Sequence, residues 1–188
     1  MSCPNPIDAA VLTDYWLAAL SQPEEEAVET HLFTCDSCGG RLRELIALAD
    51  SVRTLARQGS LLMVVSDSFM KCVAAEGLRI REYAPPPNGS IACTVSAEDD
   101  FLIGRLTANL TEASRVDLSF CDRHGVERMR LPDIPFRSTA GSVTFQQSIT
   151  YAKAAQSETM IARLLTFDEA GAERLLGEYT FHHTRTIP

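Results

Sequence analysis

The sequence has few basic residues and no long apolar run. Lysine and arginine number 17 against 25 aspartates and glutamates, which gives a formal net charge of −8 over 188 residues. Nucleic-acid binding requires a basic face that neutralises phosphates, so this balance argues against a nucleic-acid partner. The longest aliphatic run, residues 61–65, is much too short to cross a membrane, and no basic segment followed by an apolar core marks a secretory signal. We therefore expect a cytoplasmic protein with no membrane partner.

Cysteine is too scarce and too scattered for a disulfide framework, since the chain contains six. In a reducing compartment, clustered cysteines commonly bind metal, whereas isolated ones are usually buried thiols. Signatures of catalysis are also missing, because the sequence has neither a nucleophile elbow nor a glycine-rich phosphate loop. Cys121 and His124 have the spacing of metal ligands, but a buried cysteine beside a solvated loop histidine accounts for them. We expect no enzyme.

Cysteine and histidine are concentrated near the start of the chain. His31 and Cys35 are four residues apart, which places them on one helix face, and Cys38 follows with a two-residue spacer. Cys3 would be the fourth ligand, or Asp8 in its place. Three thiolates and one imidazole form the closed tetrahedral shell of structural zinc, which leaves no open position for catalysis. In the alternative interpretation His31 is a surface residue and the cysteines belong to the core.

The first half of the chain has the hydrophobic period of helices. Apolar residues recur every three to four positions over residues 7–20, and Ser21 and Glu24 have the spacing of a capping box. Helices this short have a small core, which a zinc ion joining their ends would supplement. The pattern predicts four helices, over residues 7–20, from Ser21 to about residue 34, from about residue 38 to Gly59, and over residues 67–76.

After Gly77 the pattern changes to alternation and β-branched residues, with proline- and glycine-rich turns between the runs. This pattern is typical of an antiparallel β-sandwich. The sequence therefore predicts a zinc-binding helical domain over 1–60, a connecting segment with the fourth helix over 61–77, and a β-sandwich domain over 78–188. The candidate strands cover residues 78–83, 90–95, 101–107, 115–121, 126–131, 142–151, 159–167 and 173–182.

The N-terminal third resembles the zinc-binding anti-sigma factor domain of bacteria. Two departures from the usual pattern are Leu17-Ala18-Ala19 in place of Asp-Gly-Glu, and one extra residue before Pro23. Neither departure falls on a ligand position, although both could change which partner is recognised. The matching segments are Cys3-Pro4, Tyr15-Trp16-Leu17, Leu20-Ser21-Gln22-Pro23-Glu24-Glu25, Val28-Glu29-Thr30-His31-Leu32 and Cys35-Asp36-Ser37-Cys38.

The resemblance implies a protein that holds a sigma factor away from RNA polymerase. Three helices and zinc would form one body, and the fourth helix would reach across to the sigma factor or simply pack on the β-domain. The β-domain would then sense a cytoplasmic signal and release the partner. A zinc- or thiol-based redox regulator with a different partner is the alternative function. The apolar residues around the fourth helix that would contact the partner are Leu62, Met63, Val65, Phe69 and Met70.

Overall fold

The computed structural model describes residues 3–168 and 170–185, which divide into two compact units. The helical unit extends to Leu55, and the β unit begins at Ala56. The order of helices followed by sheets confirms the predicted α plus β class. The first helices are α1 (Ala9–Trp16), α2 (Gln22–Thr34) and α3 (Asp36–Arg57). Then follow β1 (Met63–Val64), α4 (Asp67–Ala75), β2 (Ile80–Tyr83), β3 (Ser90–Cys93), β4 (Phe101–Thr107), β5 (Val116–Asp122), β6 (Glu127–Leu131), β7 (Ser142–Gln147), α5 (Ile149–Ala154), β8 (Glu158–Phe167) and β9 (Glu173–His183).

Side-chain caps fix where the helices begin. The predicted capping box is present, because the Ser21 backbone N–H donates to the Glu24 carboxylate over 2.9 Å and the Ser21 hydroxyl accepts from the Glu24 backbone. Ser66 caps α4 as predicted, by accepting from the Phe69 backbone N–H. No helix within the described residues is both long enough and apolar enough to span a membrane.

The helical unit has very little apolar core. Among its described residues only Leu12, Val28 and Cys38 are buried, one from each helix. Ala27 of α2, next to the buried Val28, is exposed. A core of this size contributes little hydrophobic free energy against the entropy of ordering three helices.

The β unit contains two mixed sheets. The first has the strand order β1-β7-β4-β2 and the second β3-β9-β8-β5-β6. The prediction of a purely antiparallel sandwich is wrong at two pairs, since β2 runs parallel to β4 and β3 parallel to β9. Local alternation of side chains is the same in both kinds of strand, so the sequence pattern did not distinguish them. The remaining pairs are antiparallel.

Both sheets contribute to one hydrophobic core. Phe145 of the first sheet lies between Phe120 and Phe181 of the second, with ring centroids 5.2 and 6.2 Å apart and edge-to-face geometry. Edge-to-face aromatic pairs add to the free energy of simple burial. Tyr179 is also buried there, and its hydroxyl donates to the Thr107 carbonyl.

The residues expected to connect two domains are integrated into the β unit. β1 pairs with β7, and the buried side chain of Gln146 donates to the Leu61 carbonyl over 2.9 Å. Gly59 has φ +63°, its carbonyl accepts from Ile149, and a Cβ there would collide with backbone. The chain therefore joins this unit before residue 60.

One predicted strand ends earlier than expected. Residues 142–151 were predicted as one strand, but β7 ends at Gln147 and α5 follows. Ser148 caps α5 by accepting from the Tyr151 backbone N–H over 3.2 Å. The β-branched Ile149 and Thr150 favour a strand locally, and the cap with its buried Ile149 overrides that preference.

A truncation tests the role of residues 61–77. We expect residues 56–188 to fold alone, and residues 78–188 to melt at a clearly lower temperature. The shorter fragment loses β1, leaves the Gln146 amide without its acceptor, and removes the Phe69 ring from Phe101. Thermal unfolding followed by circular dichroism measures the difference, and equal melting temperatures would show that 61–77 is only a connector.

A buried carboxylate organises one end of the second sheet. Asp117 is 1% exposed, and its oxygens accept from the Arg115 guanidinium at 3.0 and 3.1 Å and from the Asp133 backbone N–H at 2.8 Å. Desolvation by itself raises the pKa of Asp117, but these hydrogen bonds outweigh it and lower the pKa below the ordinary value of 3.8. Asp117 therefore stabilises the β unit in its charged form.

Asp117→Asn should destabilise the β unit by about 2 kcal/mol at neutral pH, because it removes the charge that pairs with the Arg115 guanidinium and puts an amide NH2, which cannot accept, where one carboxylate oxygen accepts from Arg115 Nη2. Since folding lowers the pKa, the contribution is complete above the unfolded value of 3.8 and is lost as pH falls through the folded value. The stability gap between native chain and variant should therefore narrow in acid. Chemical denaturation across pH measures it, with exposed Glu112→Gln as the control.

Candidate metal centre

The four predicted ligands lie where the N-terminal segment, α2 and α3 meet. His31 is in the last turn of α2, Cys35 is the residue between α2 and α3, and Cys38 is in the first turn of α3. Cys3 lies in the N-terminal segment, before α1. The sharp change of direction at Cys35, which has φ −127° and ψ 95°, brings the two-residue spacer around as a knuckle.

The ligand atoms are close enough to share one ion. One atom from each of Cys3, His31, Cys35 and Cys38 lies within 4.8 Å of all the others. The Cys3 sulfur is 3.6 Å from His31 Nε2. A tetrahedral zinc ion with bonds of about 2.3 Å to sulfur and about 2.05 Å to nitrogen separates such atoms by about 3.6 Å. The group could therefore bind a metal, and its donor atoms fit zinc.

The surroundings favour a thiolate at the centre of the knuckle. The Cys38 backbone N–H, together with the side chains of Cys3 and His31, outweighs desolvation and lowers the pKa of the Cys35 thiol to about 7. Desolvation raises the pKa of Cys3 above its ordinary value. Metal binding requires deprotonated cysteines, so an acidic Cys35 provides the first charged ligand near neutral pH.

Arg41 ties the N-terminal segment to α3. Its Nη1 donates to the Ile7 carbonyl over 2.7 Å, across 34 positions of sequence. This contact holds the segment that carries Cys3 near the helix that carries Cys38. Residue spacing gives no sign of this contact, because a side chain can reach a distant backbone carbonyl from any position. Asp8, the substitute ligand considered above, instead caps α1 by accepting from Ala10.

The remaining cysteines are separate from this group. Cys72 is exposed and Cys93 is half-buried. Cys121 is buried, and its sulfur lies 3.5 Å from Arg163 Nη1, while His124 Nε2 accepts from Arg123. Within residues 3–168 and 170–185, the Cys3, His31, Cys35 and Cys38 group is the one set of three or more such side chains with this proximity.

The residues predicted to bind a partner are in the β unit and have packing contacts there. The Phe69 and Phe101 rings lie edge to face with centroids 6.1 Å apart. Val65 is buried, and Leu62 packs against the shared core. Met63 belongs to β1, and Met70 is half-buried on α4.

Comparison with known proteins gives no family. No protein-family model and no curated protein matches the sequence. Among solved structures, the chain is similar to the N-terminal domain of phage TP901-1 ORF48, at 12% identity and a TM-score of 0.35. That match covers 58% of this chain and 98% of the phage domain. At this level the likeness carries no argument about function.

The purified chain should contain one zinc ion, bound by Cys3, His31, Cys35 and Cys38. Cys35→Ser should lose it, whereas Cys72→Ser, which changes an exposed cysteine, should retain it. Chelation should melt the helical unit and leave the β unit folded, because only three side chains are buried among the described residues of the helical unit. Elemental analysis measures the bound zinc, and circular dichroism follows the unfolding of the helices. Intact helices without metal, or zinc loss in Cys121→Ser, would contradict the assignment.

Proposed function

We propose that the chain is a zinc-dependent anti-sigma factor that sequesters a sigma factor in the cytoplasm and so regulates transcription. The observation that carries the proposal is the convergence of Cys3, His31, Cys35 and Cys38 within 4.8 Å. These are the positions at which the sequence resembles the zinc-binding anti-sigma domain. In this proposal zinc fixes the shape of the helical unit, and the β unit or the metal site receives the signal that releases the partner.

An exposed apolar stripe on α3 supports a protein partner. Leu48, Val52 and Leu55 follow one another at intervals of four and three residues, which places them on one helix face. They are 67%, 48% and 42% exposed. Phe33, near the end of α2, is 93% exposed. Large apolar side chains in such number on so small a unit are typical of an interaction surface.

The charge of the helical unit suits a basic partner. Residues 1–58 contain nine acidic side chains and four arginines. The exposed residues Glu25, Glu26 and Glu29 lie along α2. A sigma factor uses basic surfaces to contact DNA, so an acidic helix complements it. Such complementarity mainly raises the association rate.

The apolar residues around α4 give the proposal a second patch to test. Leu62, Met63, Val65, Phe69 and Met70 were expected to anchor the partner. Their packing contacts within the β unit mean that truncating Phe69 would destabilise this unit whether or not it touches a sigma factor.

The alternative is a thiol-based redox regulator with another partner. Three sulfur atoms within 4.8 Å of one another favour it, because an oxidant such as peroxide could join two as a disulfide and release the metal. This function predicts zinc release by peroxide in a chain that binds no sigma factor.

The zinc-loaded chain should bind a sigma factor of its host, with the one encoded beside it as the first candidate, and block its assembly with core polymerase. Leu48→Ala should weaken binding by about tenfold, mainly through faster dissociation. Leu175→Ala, which truncates an exposed leucine of β9, is the matched control. Added salt should slow association. Binding kinetics and melting curves are measured for each variant, including Phe69→Ala. A variant that binds weakly but melts at the native temperature has lost a contact with the partner rather than its fold. The proposal is wrong if the zinc-loaded chain binds no sigma factor of its host.

A further inference from the structure

A cavity of about 60 Å³, partly open to solvent, lies in the β unit where the two sheets meet α5. Strands β4 and β7 of the first sheet and β8 and β9 of the second supply most of its wall. Ala152 of α5 and Ala155, which follows the helix, close one side with small side chains. All the residues that line it belong to one unit, so its shape is set by that unit alone.

The wall is largely aromatic and aliphatic. Tyr83, Phe145, Phe181 and Met160 face the space from four different strands. Gly104 of β4 has no Cβ, and a Cβ there would collide with the Phe145 ring, so the ring lies against bare backbone. Apolar walls with a few polar groups are the usual composition of small-molecule sites.

One polar atom at this cavity has no partner. His183 lines the cavity, and its Nε2 is buried without a hydrogen bond to any described residue. Gln147 lies at the same wall, and its Nε2 is 4.0 Å from the Met160 sulfur, which is a weak acceptor. Buried polar groups are nearly always paired, so an unpaired imidazole nitrogen at a cavity points to a group that is missing from the protein itself.

The charge of the lining selects against anions. Its described residues include neither lysine nor arginine. Glu158 is the one carboxylate among them, and it accepts from the Tyr151 hydroxyl over 3.3 Å. Burial raises the pKa of the Cys93 thiol, which keeps that group neutral as well. A carboxylate or phosphate ligand would therefore meet one negative charge and no positive one.

We propose that this cavity binds a small, neutral, aromatic molecule that carries one hydrogen-bonding group. The ring would pack among Tyr83, Phe145 and Phe181, and its polar group would bond to His183 Nε2. A phenol has this chemistry. The site does not depend on what the helical unit binds, so it stands or fails separately from the function proposed above.

Phenol binding to the full zinc-loaded chain tests the proposal. With ¹³C-labelled methionine methyl groups, phenol should shift the signal of Met160, which lines the cavity, and leave that of Met129 on β6 unchanged. Benzoate, which has the same ring and a negative charge, should shift neither signal. The proposal is wrong if the Met160 signal does not shift at millimolar phenol, or if benzoate binds as well as phenol does.

Two substitutions test the geometry. His183→Phe should weaken phenol binding by about three- to tenfold, because it removes one hydrogen bond and keeps a ring. The affinity for toluene, which makes no such bond, should be unchanged. Ala155→Phe should fill the cavity and abolish binding, whereas Ala154→Phe, one residue outside the lining, should retain it. If His183→Phe does not fold, the comparison of Ala155→Phe with Ala154→Phe tests the site by itself. Undiminished phenol binding in folded Ala155→Phe would show that phenol binds elsewhere and that the proposal is wrong.

Discussion

The helical unit depends on a constraint other than its apolar core. Leu12, Val28 and Cys38 are its only buried side chains among the described residues, and Cys38 itself belongs to the Cys and His group. Ordering each residue costs about 1–2 kcal/mol in backbone entropy, which so few contacts cannot offset for three helices. A zinc ion contributes roughly 10–16 kcal/mol in small zinc-dependent folds. A single ion here would fasten α2, α3 and the N-terminal segment at one point.

The β unit has the opposite character. Aromatic rings of both sheets interlock in one core, and Asp117, though buried, has its charge paired and its oxygens hydrogen-bonded. Burial of apolar surface is therefore the main source of its stability. Two buried polar atoms of the unit's described residues have no hydrogen-bond partner, Gln146 Oε1 and His183 Nε2, and His183 is the one of these two residues that lines the cavity. The unit can keep such atoms because an unmet hydrogen bond is small beside the rest of its core.

The elements that could be predicted from the sequence are those with a local signal. The Ser21 and Glu24 capping box, the Ser66 cap and β4 at Phe101–Thr107 depend on neighbouring residues only. Elements that depend on distant partners could not be predicted. The run over residues 142–151 contains α5 because Ser148 caps a helix there and Ile149 is buried. Two parallel strand pairs were likewise invisible, since the direction of a neighbouring strand does not change side-chain alternation.

Local sequence patterns were enough to predict the α plus β order and the four residues that the structure brings together, because ligand spacing on a helix is a local geometric property. Long-range packing places residues 61–77 in the β unit, leaves Leu48, Val52 and Leu55 exposed, and sets His183 at a cavity with no partner for its Nε2 among the described residues. Each of these depends on which distant residues pack together. Burial and hydrogen-bond satisfaction are properties of the whole packed unit, so no short stretch of sequence specifies them.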